Sequence, residues 1–456
     1  MLVAFIGWRH HARVDAIDAV PIGALVLGGG YAIYKSLSNT NEVMNFASRF
    51  GSIFQVEEGS GLTRTEIWHA AVSAILSSPM RFIFGFGADT FRLVFPKYKP
   101  LAYTHDAGYL SVADNVHDYP LQLAAGVGVI GFLLLYGVFV WAAVRSFKTV
   151  FGKSTDVTRL IVGGFWCAAA AYIVQLMFGL SVTGNTFLLW VCIGVVLAPT
   201  ATFVEFEAPN WGVAAAAIGI VLAVAGIAYQ FVFMAADYQY LLAQTTLTGS
   251  DATHAAILAE KLNPWNDMYK SEIAMAYRQE IVDLANQAYT AQQQGQTTSQ
   301  YPPLIQAKLE AAVSALKETI KFVPTEYDNY VFIASVYNMG GALLTPQYYK
   351  DAEYWAQKGI EVEPYGPAVR VEYARALIGL GNQAQAIKVL QAAYAMDNAY
   401  VDGGELLAQE LEAAGRNAEA IKVLQTLQAA NPTDTTVAPL IKQYEASSTT
   451  PAATTK

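Results

Sequence analysis

Trp211-Gly-Val-Ala-Ala-Ala-Ala-Ile-Gly-Ile-Val-Leu-Ala-Val-Ala-Gly-Ile-Ala-Tyr-Gln-Phe-Val-Phe-Met234-Ala-Ala-Asp237 is the stretch that decides how this chain is built. From Trp211 to Met234 it carries no charge, and it exceeds the roughly 20 apolar residues that a helix needs to cross a bilayer. Asp237 then opens a region of different character. Residues 1–236 carry 13 acidic and 13 basic side chains, net zero, whereas residues 237–456 carry 24 and 15, net −9. We read residues 1–236 as a membrane domain, 237–446 as an acidic soluble domain, and 447–456 as a Ser/Thr/Ala/Pro tail expected to be disordered. The whole chain, 54% hydrophobic and 14% charged, is too oily for an ordinary soluble protein. An acidic soluble half excludes nucleic acid as a partner, because phosphate binding needs an excess of Lys and Arg.

Downstream of Asp237 the sequence repeats. Ala386-Ile-Lys-Val-Leu390 returns as Ala420-Ile-Lys-Val-Leu424, an offset of 34 that also reaches back to Ala352. Twelve residues after each Ala comes a turn residue, Pro364, Asn398 or Pro432, and Gly381 and Gly415 mark turns within the helix pairs. Ala312 precedes Pro324 by the same interval, and Ala252 precedes Pro264. A 34-residue period with a small residue where two helices cross resembles the tetratricopeptide repeat. About four units are expected, the earliest interrupted by the polar stretch Gln292–Pro303. Stacked helix pairs form a groove suited to a protein or peptide partner. The plainer alternative is that the repeats only extend a stable domain. Tyr348, Tyr349, Tyr354 and Tyr373 fit either a groove lining or ordinary packing.

Upstream of Trp211, Tyr119–Val144, Leu160–Leu180 and Phe187–Val204 are also long enough to span, and Ala19–Tyr34 is a shorter, glycine-rich candidate. The fold class expected is therefore all-α, a polytopic transmembrane bundle of about five spans followed by a helical solenoid. Arg9 and Arg13 before the first span, and Arg145, Lys148, Lys153 and Arg159 between the second and third, mark the cytoplasmic side. The loop 35–118 and everything after Met234 should then face outward. Cys167 and Cys192 lie inside apolar segments and read as packing residues; no spacing suggests a metal site, and no cofactor is expected.

The outward loop is where chemistry can sit, since loops of this length are functional or disordered. Arg64–Ser77 has helical periodicity through Ile67, Ala70, Ala71, Ala74 and Ile75, with Thr63 as its expected cap, Glu66 at the third position of a partial capping box and Pro79 ending it. Arg64 would thus open a helix where anions are favoured. His117 immediately precedes the apolar run from Tyr119, which puts an imidazole at the membrane surface with a pKa suited to proton transfer. The alternatives remain open: Arg64 as a solvated side chain or a partner of Glu66 or Asp89, and His117 as incidental, with His69 and His105 as rivals.

The order of these residues resembles the C-terminal part of the O-antigen ligase family, which includes related O-antigen polymerases and protein O-oligosaccharyltransferases. The residues that carry it are Arg64-Thr-Glu-Ile-Trp68, Pro79, Gly85-Phe-Gly87, Phe91, His117-Asp118, Gly128-Val-Ile-Gly131 and Thr183-Gly-Asn-Thr-Phe-Leu-Leu-Trp190, over roughly residues 49–204. The resemblance implies a bacterial inner-membrane glycosyltransferase of cell-surface polysaccharide or lipopolysaccharide biosynthesis. Such an enzyme moves a glycan from an undecaprenyl-diphosphate carrier to a lipid, sugar or protein hydroxyl on the periplasmic side. It implies Arg64 as the diphosphate ligand, His117 as base, and Arg49, Arg81, Trp68 and Asp118 as substrate-binding residues. Asp118 stands where that family has Asn, and its charge beside a diphosphate requires an arginine in compensation. The chain also begins near the middle of that family's architecture, so a fragment is expected, and a non-catalytic membrane-anchored repeat scaffold is the competing reading.

Overall fold

The computed structural model describes residues 60–108, 111–152, 156–202 and 210–449. The candidate span Ala19–Tyr34, the flanking Arg9 and Arg13, Arg49, Lys153 and all of the tail beyond residue 449 lie outside the described residues. Every described element is helical. The chain divides into two compact units, one of residues 1–106 and 112–205, the other essentially residues 206–456 with the short segment 107–111.

The first unit begins with α1 (Ser60–Ile75), α2 (Pro79–Phe84), α3 (Phe91–Tyr98) and α4 (Leu101–Ala107). Helix α1 is already formed at Ser60, so Thr63 is not its cap and Arg64 does not open it. The apolar positions expected to face inward do so: Ile67, Ala70, Ala71, Ala74 and Ile75 are all buried. Glu66 makes no capping box. It lies on the buried side, and neither of its oxygens has a hydrogen-bond partner. Ser78 accepts the Arg81 backbone N–H and Pro79 occupies the first turn of α2, so this proline starts a helix rather than merely stopping one.

Three apolar helices follow, α5 (Tyr119–Phe151), α6 (Asp156–Leu176) and α7 (Thr183–Leu197). The first two are long and apolar enough to cross a membrane; the apolar helix from Gly184 to Thr200 is shorter. They pack through Phe139 and Ala142 of α5 with Leu189 and Ile193 of α7, and through Val150, Val162 and Val196. Cys167 and Cys192 are both free and half-buried. Asp118 caps α5 by accepting the Leu121 N–H at 2.8 Å.

The second unit opens with α8 (Asn210–Thr245), which runs from the apolar stretch straight across Asp237 without a break. Its apolar part qualifies as a span and buries none of its residues. Its last turns pair with α9 (Gly249–Leu262). Antiparallel pairs then repeat: α10 (Asp267–Gln293) with α11 (Tyr301–Phe322), α12 (Tyr327–Leu343) with α13 (Tyr348–Val362), α14 (Pro367–Gly379) with α15 (Gln383–Met396), and α16 (Val401–Ala413) with α17 (Asn417–Ala430), closed by α18 (Val437–Thr449). From α10 to α16, the first helix of each pair also touches the first helix of the next, the arrangement of a tetratricopeptide solenoid. Five pairs form, against the four or so expected, because the first borrows the end of a membrane helix. Ala312, Ala352, Ala386 and Ala420, the residues that set the period, are each 0% exposed at helix crossings. The interruption at Gln292–Pro303 is narrower than expected. Helix α10 continues to Gln293, and Pro302 falls in the first turn of α11.

Candidate functional site

In the first unit, the segment after Gly85 meets α5 backbone to backbone. Phe86 N–H donates to Ala125 O at 2.8 Å and Gly87 N–H to Gly126 O at 2.9 Å. Those carbonyls are available because α5 breaks its helical course at Gly128, whose φ of 72° favours glycine. A Cβ on Gly128 would stand 2.1 Å from Ile83 O, and one on Gly85, at φ 75°, 2.5 Å from the Gly126 backbone. The Gly-x-Gly and Gly-x-x-Gly stretches are thus two halves of one joint.

Beside this joint opens a cleft of about 550 Å³. Ala88, Asp89 and Arg92 line one wall, Asp114, Asn115, His117 and Asp118 another. The first turns of α5 with Gln122 and Gly126, and the turn Gly179–Ser181 after α6, complete it. His117 is held there through its backbone. Its N–H donates to Asn115 Oδ1 at 3.0 Å, and its φ of 55° is the left-handed conformation that His adopts more readily than most residues. The preceding Val116, 0% exposed, is fixed from both sides: its carbonyl accepts the Trp68 indole N–H at 3.0 Å and its N–H donates to Gln122 Oε1 at 2.8 Å. Asn115 in turn donates its amide to Asp114.

Arg64 reaches the rim of the same cleft. Its guanidinium donates to Phe178 O at 3.5 Å, next to the lining Gly179. Burial lowers the His117 pKa from its ordinary value and the Arg64 charge lowers it further, with Asp114 opposing. The imidazole is therefore held neutral near pH 7, as a base requires. Burial raises the Asp118 carboxyl while the Leu121 N–H it accepts opposes the shift. A cap acceptor of this kind is a role that Asn fills as well as Asp.

Among the candidates from sequence, then, His117 and Asp118 line the cleft, Arg64 lies beside it on Phe178 O, near enough for its charge to lower the His117 pKa, and Trp68 supports the wall from behind. Arg81 is engaged elsewhere: it donates to Tyr98 OH at 2.8 Å and to Ser77 Oγ at 3.2 Å and stacks 4.8 Å from the Phe86 ring. Arg49 lies outside the described residues. Arg92, Asn115 and Gln122 line the cleft without having been proposed from sequence, and so does Asp89, which the sequence offered only as an ion-pair partner for Arg64. Arg92 sits one residue past the aromatic of the motif, and only the fold of the loop shows that it turns inward. Among the described residues no cluster of His, Cys, Asp and Glu is grouped for a metal.

One more titratable group lies behind the cleft. Glu66 is 7% exposed, and burial together with the nearby Asp106 carboxylate pushes its pKa up to about 7. A proton shared between the two carboxyls would give the Glu66 oxygens their partner in Asp106, and that hydrogen bond is the third cause of the raised pKa.

These features define a polytopic all-α membrane protein whose extramembrane loop holds a polar cleft, joined in one chain to a tetratricopeptide-type solenoid. Residues 1–136 match the family model described as O-antigen ligase. The match contains the Arg64–Trp68, Gly85–Gly87, His117 and Gly128–Gly131 elements and ends within α5, so the Thr183–Trp190 stretch falls outside it. No curated protein matches the chain. Similar solved structures include a thermophilic TPR protein of Thermus thermophilus, at 15% identity over 48% of this chain and 99% of that one, TM-score 0.34. MamA is 12% identical over 45% and 93%, TM-score 0.31. Yeast Tom70 is 12% identical over 98% and 92%, TM-score 0.33.

Proposed function

We propose that the protein transfers a glycan from an undecaprenyl-diphosphate carrier to an acceptor hydroxyl at the outer surface of the bacterial cytoplasmic membrane, in the assembly of cell-surface polysaccharide. The observation that carries this reading is that His117 lines a polar cleft immediately before a span with the Arg64 guanidinium beside it, close enough to lower its pKa, both within the residues that match the O-antigen ligase family. In this reading neutral His117 takes the proton of the acceptor hydroxyl as its oxygen attacks the anomeric carbon. The bond from that carbon to the diphosphate oxygen breaks, and the diphosphate leaves with the electron pair. Arg64 and Arg92 stabilise the charge that develops on it. Asn115 positions the His117 backbone directly, and Trp68 and Gln122 do so through Val116. The outward orientation rests on the basic flanks of the spans. The solenoid, having no catalytic constellation of its own in sequence, is proposed to recruit the acceptor or a protein partner.

The test is transfer in proteoliposomes carrying the full chain, an undecaprenyl-diphosphate-linked oligosaccharide and lipid A–core as acceptor. His117→Ala and Arg64→Ala should each lower turnover by about a hundredfold or more while membrane insertion is unchanged. Because the His117 pKa is lowered, the acid limb of the rate profile should fall below pH 6.5. Equal transfer in both variants overturns the reading. Inert wild-type chain supports the scaffold alternative instead.

A further inference from the structure

We propose that the turn between α9 and α10, led by Trp265, lies in the interfacial layer of the bilayer from which α8 emerges, so that the first repeat rests on lipid. The inference follows from register within the second unit alone. Helix α8 leaves its apolar stretch at Met234, and Ala236, two residues on, is already packed against Ala259 and Tyr269, with Tyr240 and Leu262 around them. Ala243, farther from the membrane, packs with Ala255 and Ala256. Helix α9 therefore descends toward the membrane, and its last turn stands at the level where the span ends. The chain continues past Leu262 in that direction before α10 turns it back. Tyr269 OH donates to Asp237, the first charged residue after the span, and fixes the start of α10 at the same height.

The side chains presented there suit lipid rather than water. Trp265 is 72% exposed and Met268 48%, and Lys261 in the last turn of α9 is exposed beside them. Tryptophan is favoured where a bilayer meets water, and a lysine stem can lie along acyl chains with its ammonium among the phosphates. The later repeats supply the control. At the position equivalent to Trp265, one residue after the turn Pro or Asn, they carry Thr325, Tyr365, Ala399 and Thr433. Tryptophan occurs in the one turn whose repeat is built on the membrane helix itself.

A fluorescent probe reads this directly. In the full chain with Cys167→Ser and Cys192→Ser, Trp265→Cys or Met268→Cys is labelled with an environment-sensitive dye and reconstituted into phosphatidylcholine–phosphatidylglycerol liposomes. Thr297→Cys, in the loop between α10 and α11 and about 40 Å along α10 from the turn, serves as reference. Labels at 265 and 268 should emit at shorter wavelength than the label at 297, and lipids bearing a doxyl group high on the acyl chain should quench them about twofold or more. Quenching no greater than at 297 overturns the proposal. A shorter emission wavelength without lipid quenching also overturns it, because the turn is then covered by protein.

Discussion

A leucine means opposite things in the two parts of this chain. In the solenoid Leu390, Leu424 and Leu427 are 0% exposed, closed in by the alanines that set the repeat. Among the membrane helices Leu133 is 60% exposed and Leu134 69%, and the apolar stretch of α8 buries nothing. The difference lies in the solvent. The solenoid folds against water and gains by removing apolar surface from it. The membrane helices satisfy their own backbone and leave apolar faces to lipid, so they are held by local fit, small residues and polar joints.

The joint at Gly85 and Gly128 makes the largest break in that comparison. Gly128→Val would drive a side chain into Ile83 O and force φ 72° on a β-branched residue. The segment 79–87 should lose its seat on α5, with protease cleavage of the extramembrane loop in detergent and loss of the His117 cleft. The cooperative melt of the solenoid, followed by circular dichroism, should persist. A protected loop in Gly128→Val would show that the joint is dispensable.

Next in size is one substitution made in both environments. Leu390→Ala opens a cavity in the closed core of the solenoid and should cost about 2–5 kcal/mol, read as a lowered melting temperature. Leu134→Ala, on a face that packs against no other part of the protein among the described residues, should shift the melt of the membrane part far less. Comparable losses at the two positions would mean that Leu134 is covered by protein and not by lipid.

The two parts were also unequally legible. The solenoid could be read from sequence because water imposes a period: Ala352, Ala386 and Ala420 recur at 34 for one geometric reason, and each is buried as that reason demands. What the period hid was its own beginning, since Ala236 and Tyr240 serve the first repeat from within a helix that reads as a span. The apolar stretches of the membrane part were equally plain. Its cleft was legible only in pieces. Arg64 and His117 stand in motifs, but the inward turn of Arg92 depends on tertiary pairing of Gly87 with Gly126. Thr63 misled because a favourable cap residue lies within a helix already formed at Ser60.

Glu66 sharpens the comparison most finely, because it is a polar residue on the buried side of the membrane part's extramembrane loop. Its folded pKa of about 7 stands above the ordinary 4.5, so between those values the folded protein holds more protons than the unfolded chain. Stability associated with this group is complete below about pH 4.5 and declines as pH rises toward 7, beyond which both states are ionised and the profile is flat. At about 1.4 kcal/mol per tenfold change in proton affinity, the bound is about 3 kcal/mol. Glu66→Gln keeps the shape, removes the charge and should flatten the thermal stability of the membrane part between pH 4.5 and 7, leaving it more stable than wild type at pH 8. The solenoid melt should be the same in both proteins at each pH. If the wild-type membrane part melts independently of pH across that window, Glu66 is ionised throughout and water reaches the Glu66–Asp106 pair.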